Sequence, residues 1–273
     1  MRYGIEVVTL GDYADPRPVV DLAVAAEAAG WDGLFVWDHL GFAWGVPSAD
    51  PWVVLAAVAQ ATTRLRLGTT VTPVARRRPQ VLANAVATLD LLSQGRVVLG
   101  AGLGGVPEEF TAFGEPGDAR QRARRLDEGL EVLRRLWEGR PVTHHGDHYR
   151  VEGVTLAPLP LQRPRVPVWI GGDSPPALRR AARWDGWATA GVDQEGRPTT
   201  TPERIAAKVE EVRRHRSTDG AFDVALTGRS DPGDAAAAAA FGEAGVTWWL
   251  ESLHGFRGPF ERLRERVAAG PPR

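Results

Sequence analysis

Eight times along this chain a short apolar run is followed by a stretch of helical periodicity. The apolar runs cover residues 3–9, 33–40, 64–74, 97–104, 166–172, 186–191, 222–227 and 245–253. Runs that are apolar on both alternating faces read as strands buried on both sides. The stretches between them, among them 16–29, 80–92, 120–137 and 202–214, are long enough for helical crossovers, which parallel strands need and antiparallel strands do not. No linker-like composition interrupts the rhythm. Strand then helix, eight times over, predicts one α/β domain over 1–273, a (β/α)8 TIM barrel, and 273 residues is a usual size for one. A doubly wound open sheet is the competing architecture. It calls for fewer strands and a better glycine fingerprint.

Local signals mark several boundaries. Asp50–Pro51, Ser174–Pro175, Thr201–Pro202 and Asp231–Pro232 each place a capping side chain before a proline at a first helical turn. Residues 141–155 read as a surface hairpin turning at Gly146–Asp147, a small insertion before the fifth strand. The fourth run ends in glycines at alternate positions, Gly100, Gly102 and Gly104, with Gly105 added. Their spacing does not fit the dinucleotide pattern GxGxxG, and Val106–Pro107 stands where a helix should open at once. Tight packing within the sheet and a strand end on which a flat aromatic cofactor lies both remain open.

Composition excludes several functions. The chain has no cysteine, so disulfides, thiolate catalysis and cysteine-ligated metals are ruled out. Its net charge is -1 and its only dense basic segment is Arg76–Arg77–Arg78, which argues against nucleic acid as the main partner. No apolar run reaches membrane-spanning length and nothing before Tyr3 reads as a leader, so a cytoplasmic location with no membrane partner is expected. His144, His145 and His148 flank the hairpin turn, which reads as a solvated face and not as a metal site. Ten tryptophans are present, several near strand ends (Trp37, Trp187, Trp248, Trp249), as core packing or as walls of an aromatic pocket.

In such barrels the chemistry lies where strands end. Asp38 and His39 follow an all-apolar strand, and a histidine there can exchange a proton near neutral pH. The alternative is a capping aspartate and a packing histidine. The other strand ends supply Thr69, Thr70 and Thr72; Gly102, Leu103 and Gly104; and Gly171, Gly172, Asp173 and Ser174. The last group turns tightly into a helix, either as a phosphate cradle or as an ordinary capped loop. Glu6 lies within the first strand, where a carboxylate is costly unless paired. With Trp44, Arg229, Trp249, Glu251 and His254 it makes the expected substrate pocket. Glu6 and Glu251 are also the only plausible carboxylate pair for a glycosidase.

At these residues the chain resembles the bacterial luciferase-like superfamily of flavin- and F420-dependent oxidoreductases. The resemblance rests on VWDHL (36–40), DPWVVLAAVAQATTRLRLGTTVTP (50–73), RRPQVLANAVATLDLLSQGRVVLGAGLG (77–104) and VPVWIGGDSPPALRRAARWDGW (166–187). It implies a cofactor ring over the barrel mouth: coenzyme F420, with FMN as the alternative. The implied activity is hydride transfer between F420 and a small organic substrate. Its alternatives are an FMN-dependent monooxygenase, with a separate reductase supplying reduced cofactor, and a non-catalytic cofactor-binding barrel. Asp38 and His39 would bond to the ring or act on the substrate, and Thr72, beside Thr69 and Thr70, would contact the ring. Gly102 to Gly104 would let the ring lie flat, and Gly171, Gly172 and Ser174, with Asp173 between them, would hold the phosphate. The resemblance also implies a non-proline cis peptide near Thr69–Thr70 and a homodimer formed through helices beside the second and third strands. The chain departs from the family's sugar-phosphate dehydrogenases, which carry a glutamate soon after the Gly-x-Gly run, where Gly105 stands. It is also short for the family, which implies reduced pocket loops and either an open pocket or one completed by a partner subunit.

Overall fold

The computed structural model describes residues 1–193 and 195–273. Eight of its strands are parallel and form a closed ring: β1 (Arg2–Val7), β2 (Gly33–Val36), β3 (Arg66–Thr69), β4 (Val97–Gly102), β5 (Val168–Gly171), β6 (Gly186–Ala190), β7 (Asp223–Gly228) and β8 (Trp248–Leu253). Each pairs with the next, β3 with β4 through Leu67 and Val97, and β1 closes on β8 with Gly4 opposite Leu250. The open-sheet alternative is thereby excluded.

The helices between them are α1 (Pro16–Ala28), α2 (Pro51–Ala61), α3 (Pro79–Leu92), α4 (Ala119–Leu136), α5 (Pro175–Ala181), α6 (Pro202–His215), α7 (Ala235–Glu243) and α8 (Phe260–Ala268). Asp50 caps α2 by accepting from the amides of Trp52 and Val53, and Thr201 caps α6 through Arg204 N. Two expected caps differ. Ser174 precedes α5 without a capping bond from its side chain. Asp231–Pro232 lies in the turn before α7, which starts at Ala235 behind Asp234. Val142–His145 and Arg150–Val154 form the antiparallel hairpin. Two of its histidine rings are engaged by carboxylates, His144 with Glu128 at 3.0 Å and His145 with Glu152 at 2.8 Å, and His148 reaches Glu128 through its backbone N–H.

Alternation along the strands sorts side chains into two cores. Ile5, Leu34, Leu67, Trp187, Trp249 and Leu253 face the helices. Phe35, Val98, Trp169, Trp248 and Leu250 fill the barrel interior. The Phe35 ring stacks on Trp169 at 5.2 Å and meets Trp248 edge-on at 5.6 Å, so the barrel is plugged by three aromatic rings. What binds must sit above that plug, at the strands' C-terminal ends.

Candidate active site

A cavity of about 1030 Å³ opens above the plug. Glycines make one wall: Gly102, Gly104 and Gly105 beyond β4, and Gly171 and Gly172 at the end of β5. Part of that flatness serves the protein itself. After β3 the chain makes a cis peptide between Thr70 and Val71, one residue past the expected place. Val71 then packs on Gly102 and Gly171, where an added Cβ would collide with its methyl groups, at 2.8 Å in the case of Gly171. Gly100 carries no side chain because the Thr69 carbonyl passes over it. Gly105 has nothing within 4 Å of an added Cβ and faces open cavity. The tight-packing reading of the glycine run therefore holds at Gly100, Gly102 and Gly171, while Gly105 leaves open space. A broad cavity with a side-chain-free wall and Val71 at its base fits a large flat ring.

Across the barrel, the end of β2 delivers His39. Its Nδ1 lies 2.7 Å from Glu109 Oε1, and the same oxygen accepts from Leu40 N at 2.9 Å. Glu109 is 1% exposed and forms an ion pair with Arg76 Nη1. Trp44 meets the imidazole edge-on at 5.1 Å and Trp37 leans on it at 5.4 Å. Glu109 thus fixes the ring, and Nε2 is the nitrogen left for the cavity that His39 lines.

Asp38 requires a correction. It is 1% exposed and does not reach the cavity. Its carboxylate accepts from Arg76 Nη2 at 2.6 Å and from Arg77 Nε at 2.8 Å. Burial works against the Arg77 charge, but the bonds to Asp38 and Asp50 overcome it and raise its pKa. Asp38 holds the arginines that hold Glu109, so it is a positioning residue. The basic run at 76–78 is accounted for at two of its positions by these pairs.

Other expected residues divide by strand parity and position. Glu6, Thr70, Leu103, Asp173, Ser174, Trp44 and His254 line the cavity. Thr69 and Thr72 do not. Both are fully buried, Thr69 Oγ1 donating to the Gly100 carbonyl at 2.9 Å and Thr72 Oγ1 to Thr69 Oγ1 at 3.2 Å, so they staple the bulge after β3. Trp249 and Glu251 point outward from β8. Trp249 packs on Phe241, and Glu251 accepts from Ser230 N and Oγ and from Arg257 at 2.7 Å. Glu6 and Glu251 occupy opposite faces of the wall, which removes the glycosidase pair. Arg229 is exposed, runs beside Gly196 and is not in the cavity lining. Asp173 accepts from Thr189 Oγ1 at 2.6 Å and pairs with Lys208 at 3.0 Å. Burial lowers the pKa of His254, with Arg257 and Arg229 adding to it.

Sequence reasoning missed Glu109 and Arg76 as site residues, whereas Trp37, one of the tryptophans read as core packing or pocket wall, does line the cavity. Glu109 comes into place because Pro107 starts a short helix, Glu108–Thr111, directly after the glycines and turns it back onto His39.

Residues 4–270 match the family described as luciferase-like monooxygenase. The chain belongs to that family. Among curated relatives of this luciferase-like chain, the F420-dependent glucose-6-phosphate dehydrogenase of Microbacterium testaceum is 39% identical over 205 residues, 71% of this chain and 58% of the relative. The protein of that name from Intrasporangium calvum is 35% identical over 263 residues, 91% of this chain and 76% of the relative. The chain thus spans little more than half the length of the first of them. Among solved structures, an F420-dependent secondary alcohol dehydrogenase in complex with an F420-acetone adduct superposes with a TM-score of 0.79 at 22% identity, covering 98% of each chain. That likeness shows that the two share the barrel fold.

Proposed function

We propose that this protein is an oxidoreductase that transfers a hydride between coenzyme F420 and a small organic substrate. The observation that carries the reading is His39, fixed at the mouth of a large cavity by a buried Glu109–Arg76 pair. The names of the curated relatives support the choice of cofactor. Bound deazaflavin supplies or accepts the hydride. The chain's own residues do the rest. The glycine wall and Val71 would receive the flat ring, and Gly171, Gly172 and Ser174 would hold its phosphate. Glu109 keeps the Nδ1 proton of His39 in place, so Nε2 takes a proton from a substrate hydroxyl during oxidation and returns it during reduction. Trp37 and Trp44 pack on the imidazole and restrict its orientation.

The family's description as monooxygenases supports FMN as the second reading, in which a separate reductase supplies reduced flavin. Titrating the purified protein with each cofactor, followed by fluorescence, separates the two. F420 is expected to bind and to turn over with substrate. Tight FMN binding with no F420 binding overturns the order, and F420 binding without turnover of any substrate points to a non-catalytic barrel.

We also propose a homodimer through α2 and α3, which present Val53 at 63% and Val81 at 62% exposure, to be checked by sedimentation. A cytoplasmic location belongs with this reading. Among the described residues no helix is long and apolar enough to cross a membrane.

A further inference from the structure

The cavity has two unlike sides. The glycine wall belongs to β4 and β5. The facing side, where β1, β2 and β8 end, carries Glu6, Asp12, Trp37, His39, Ser252 and His254. No lysine or arginine lines the cavity among the described residues. Three nearby cations are already used, Arg76 by Glu109 and Asp38, Arg77 by Asp38, and Lys208 by Asp173, while Arg229, whose charge acts on His254, is exposed and outside the lining. A bound phosphate or carboxylate group needs cations or a set of charge-assisted donors to replace its water, and this side offers none.

What it offers is a carboxyl group. Glu6 is 2% exposed, on the inward parity of β1. Its Oε1 accepts from Thr227 Oγ1 at 3.0 Å, while Oε2 has no hydrogen-bond partner in the described structure. Thr70, Trp37 and Thr227 surround it, and all are uncharged. A buried carboxylate without a cation is costly, whereas the neutral acid has one O–H to give.

We infer that Glu6 binds substrate as the neutral acid, donating from Oε2 to an oxygen of an uncharged carbonyl compound or of the alcohol it interconverts with, and that phosphorylated or carboxylated substrates are rejected. This rests on the oxidoreductase reading above for the reaction, and on the cavity alone for the charge of the substrate. Burial pushes the Glu6 pKa up to about 7, against the opposing pull of the nearby Thr70, Thr227 and Trp37 donors. The groups facing it from packed elements are Trp37 beyond β2, Thr70 after β3, Thr227 on β7 and Ser252 on β8. The remaining titratable groups on this side are His39, His254 and Asp12. Ionisation of Glu6 removes the donor, so affinity for a carbonyl falls as pH rises through its pKa.

The test uses cofactor-free protein in saturating inorganic phosphate, which fills the cradle expected for the cofactor's phosphate at Gly171, Gly172 and Ser174, and four ring compounds of one size: cyclohexanone, cyclohexanol, cyclohexanecarboxylate and cyclohexyl phosphate. Binding is read by ligand-observed NMR. The ketone and the alcohol are expected to bind at least about tenfold more tightly than either anion. Ketone affinity should drop severalfold between about pH 6 and about pH 8.5 in the parent protein. It should be flat with pH in Glu6→Gln, which keeps a neutral donor, and weak throughout in Glu6→Leu. A carboxyl ¹³C resonance that titrates near neutrality and vanishes in Glu6→Gln would identify the group, even if Glu6→Leu does not fold. Anions binding as well as the ketone, a ketone affinity indifferent to Glu6→Gln and to pH, or no ketone binding up to about 50 mM each overturns the inference. F420 titration is run separately. Its failure beside intact ketone binding sinks the hydride-transfer reading and not this one.

Discussion

His39 and Glu109 share one hydrogen bond but carry different burdens. His39→Ala leaves Glu109 with Arg76 and the Leu40 amide, so stability should stay within about 1 kcal/mol of the parent. Proton transfer loses its group, and F420-linked kcat/KM should fall about 10²- to 10⁴-fold. A variant that melts far below the parent, or keeps full turnover, returns His39 to a packing role. Glu109→Gln breaks a buried ion pair but leaves Arg76 its pair with Asp38, so the cost in urea unfolding should not exceed about 3 kcal/mol, the low end for breaking a buried pair. Glu6 makes the fold sensitive to pH. Its folded pKa of about 7 lies above the ordinary 4.5. The stability it contributes is therefore complete below the ordinary value and is lost as pH rises through 7. The shift of about 2.5 units, at 1.36 kcal/mol each, bounds the loss at about 3 kcal/mol. Glu6→Gln should abolish that slope and, at about pH 8, unfold at higher urea than the parent.

At the scale of the element, the turn after β4 gives the sharpest contrast. Gly102 and Gly105 lie three positions apart in the same glycine run, yet only Gly102 is pressed against Val71. Gly102→Ala should destabilise by about 1–3 kcal/mol through overpacking, while Gly105→Ala should stay within about 0.5 kcal/mol. Equal melting temperatures for the two would show that the Val71 bulge yields easily. On β8 the same parity logic separates Trp248, Leu250 and Ser252, which face inward, from Trp249, Glu251 and Leu253, which face the helices. Glu251 clamps β8 to the loop before α7 and to α8 through Ser230, Arg257 and Arg266. Its role is to hold the wall's outer face.

At the scale of the molecule, the aromatic plug divides the barrel into a packed lower half and a receptive upper half. Phe35 is fully buried between Trp169 and Trp248. Phe35→Ala should cost about 3–5 kcal/mol, since three interlocked rings and a closed wall have little room to collapse. Denaturant midpoints at unchanged m-value check it. A loss below about 1 kcal/mol would mean that the interior repacks freely, and with it the cavity floor.

The sequence by itself determined the strand order, the barrel, the hairpin, the caps at Asp50 and Thr201, and the delivery of His39 to the mouth. These follow from local periodicity, turn chemistry and the geometry of parallel crossovers, all of which act over a few residues. It could not say which face Trp249, Glu251, Thr69 and Thr72 take. In strands buried on both sides, apolar alternation carries no mark of inside and outside. Nor could it find the partners of the site. Glu109 meets His39 across 70 residues, and Arg76 meets Asp38 across 38. Only closure of the barrel brings such pairs within reach, because ion pairing depends on distance in space and leaves no periodic trace along the chain.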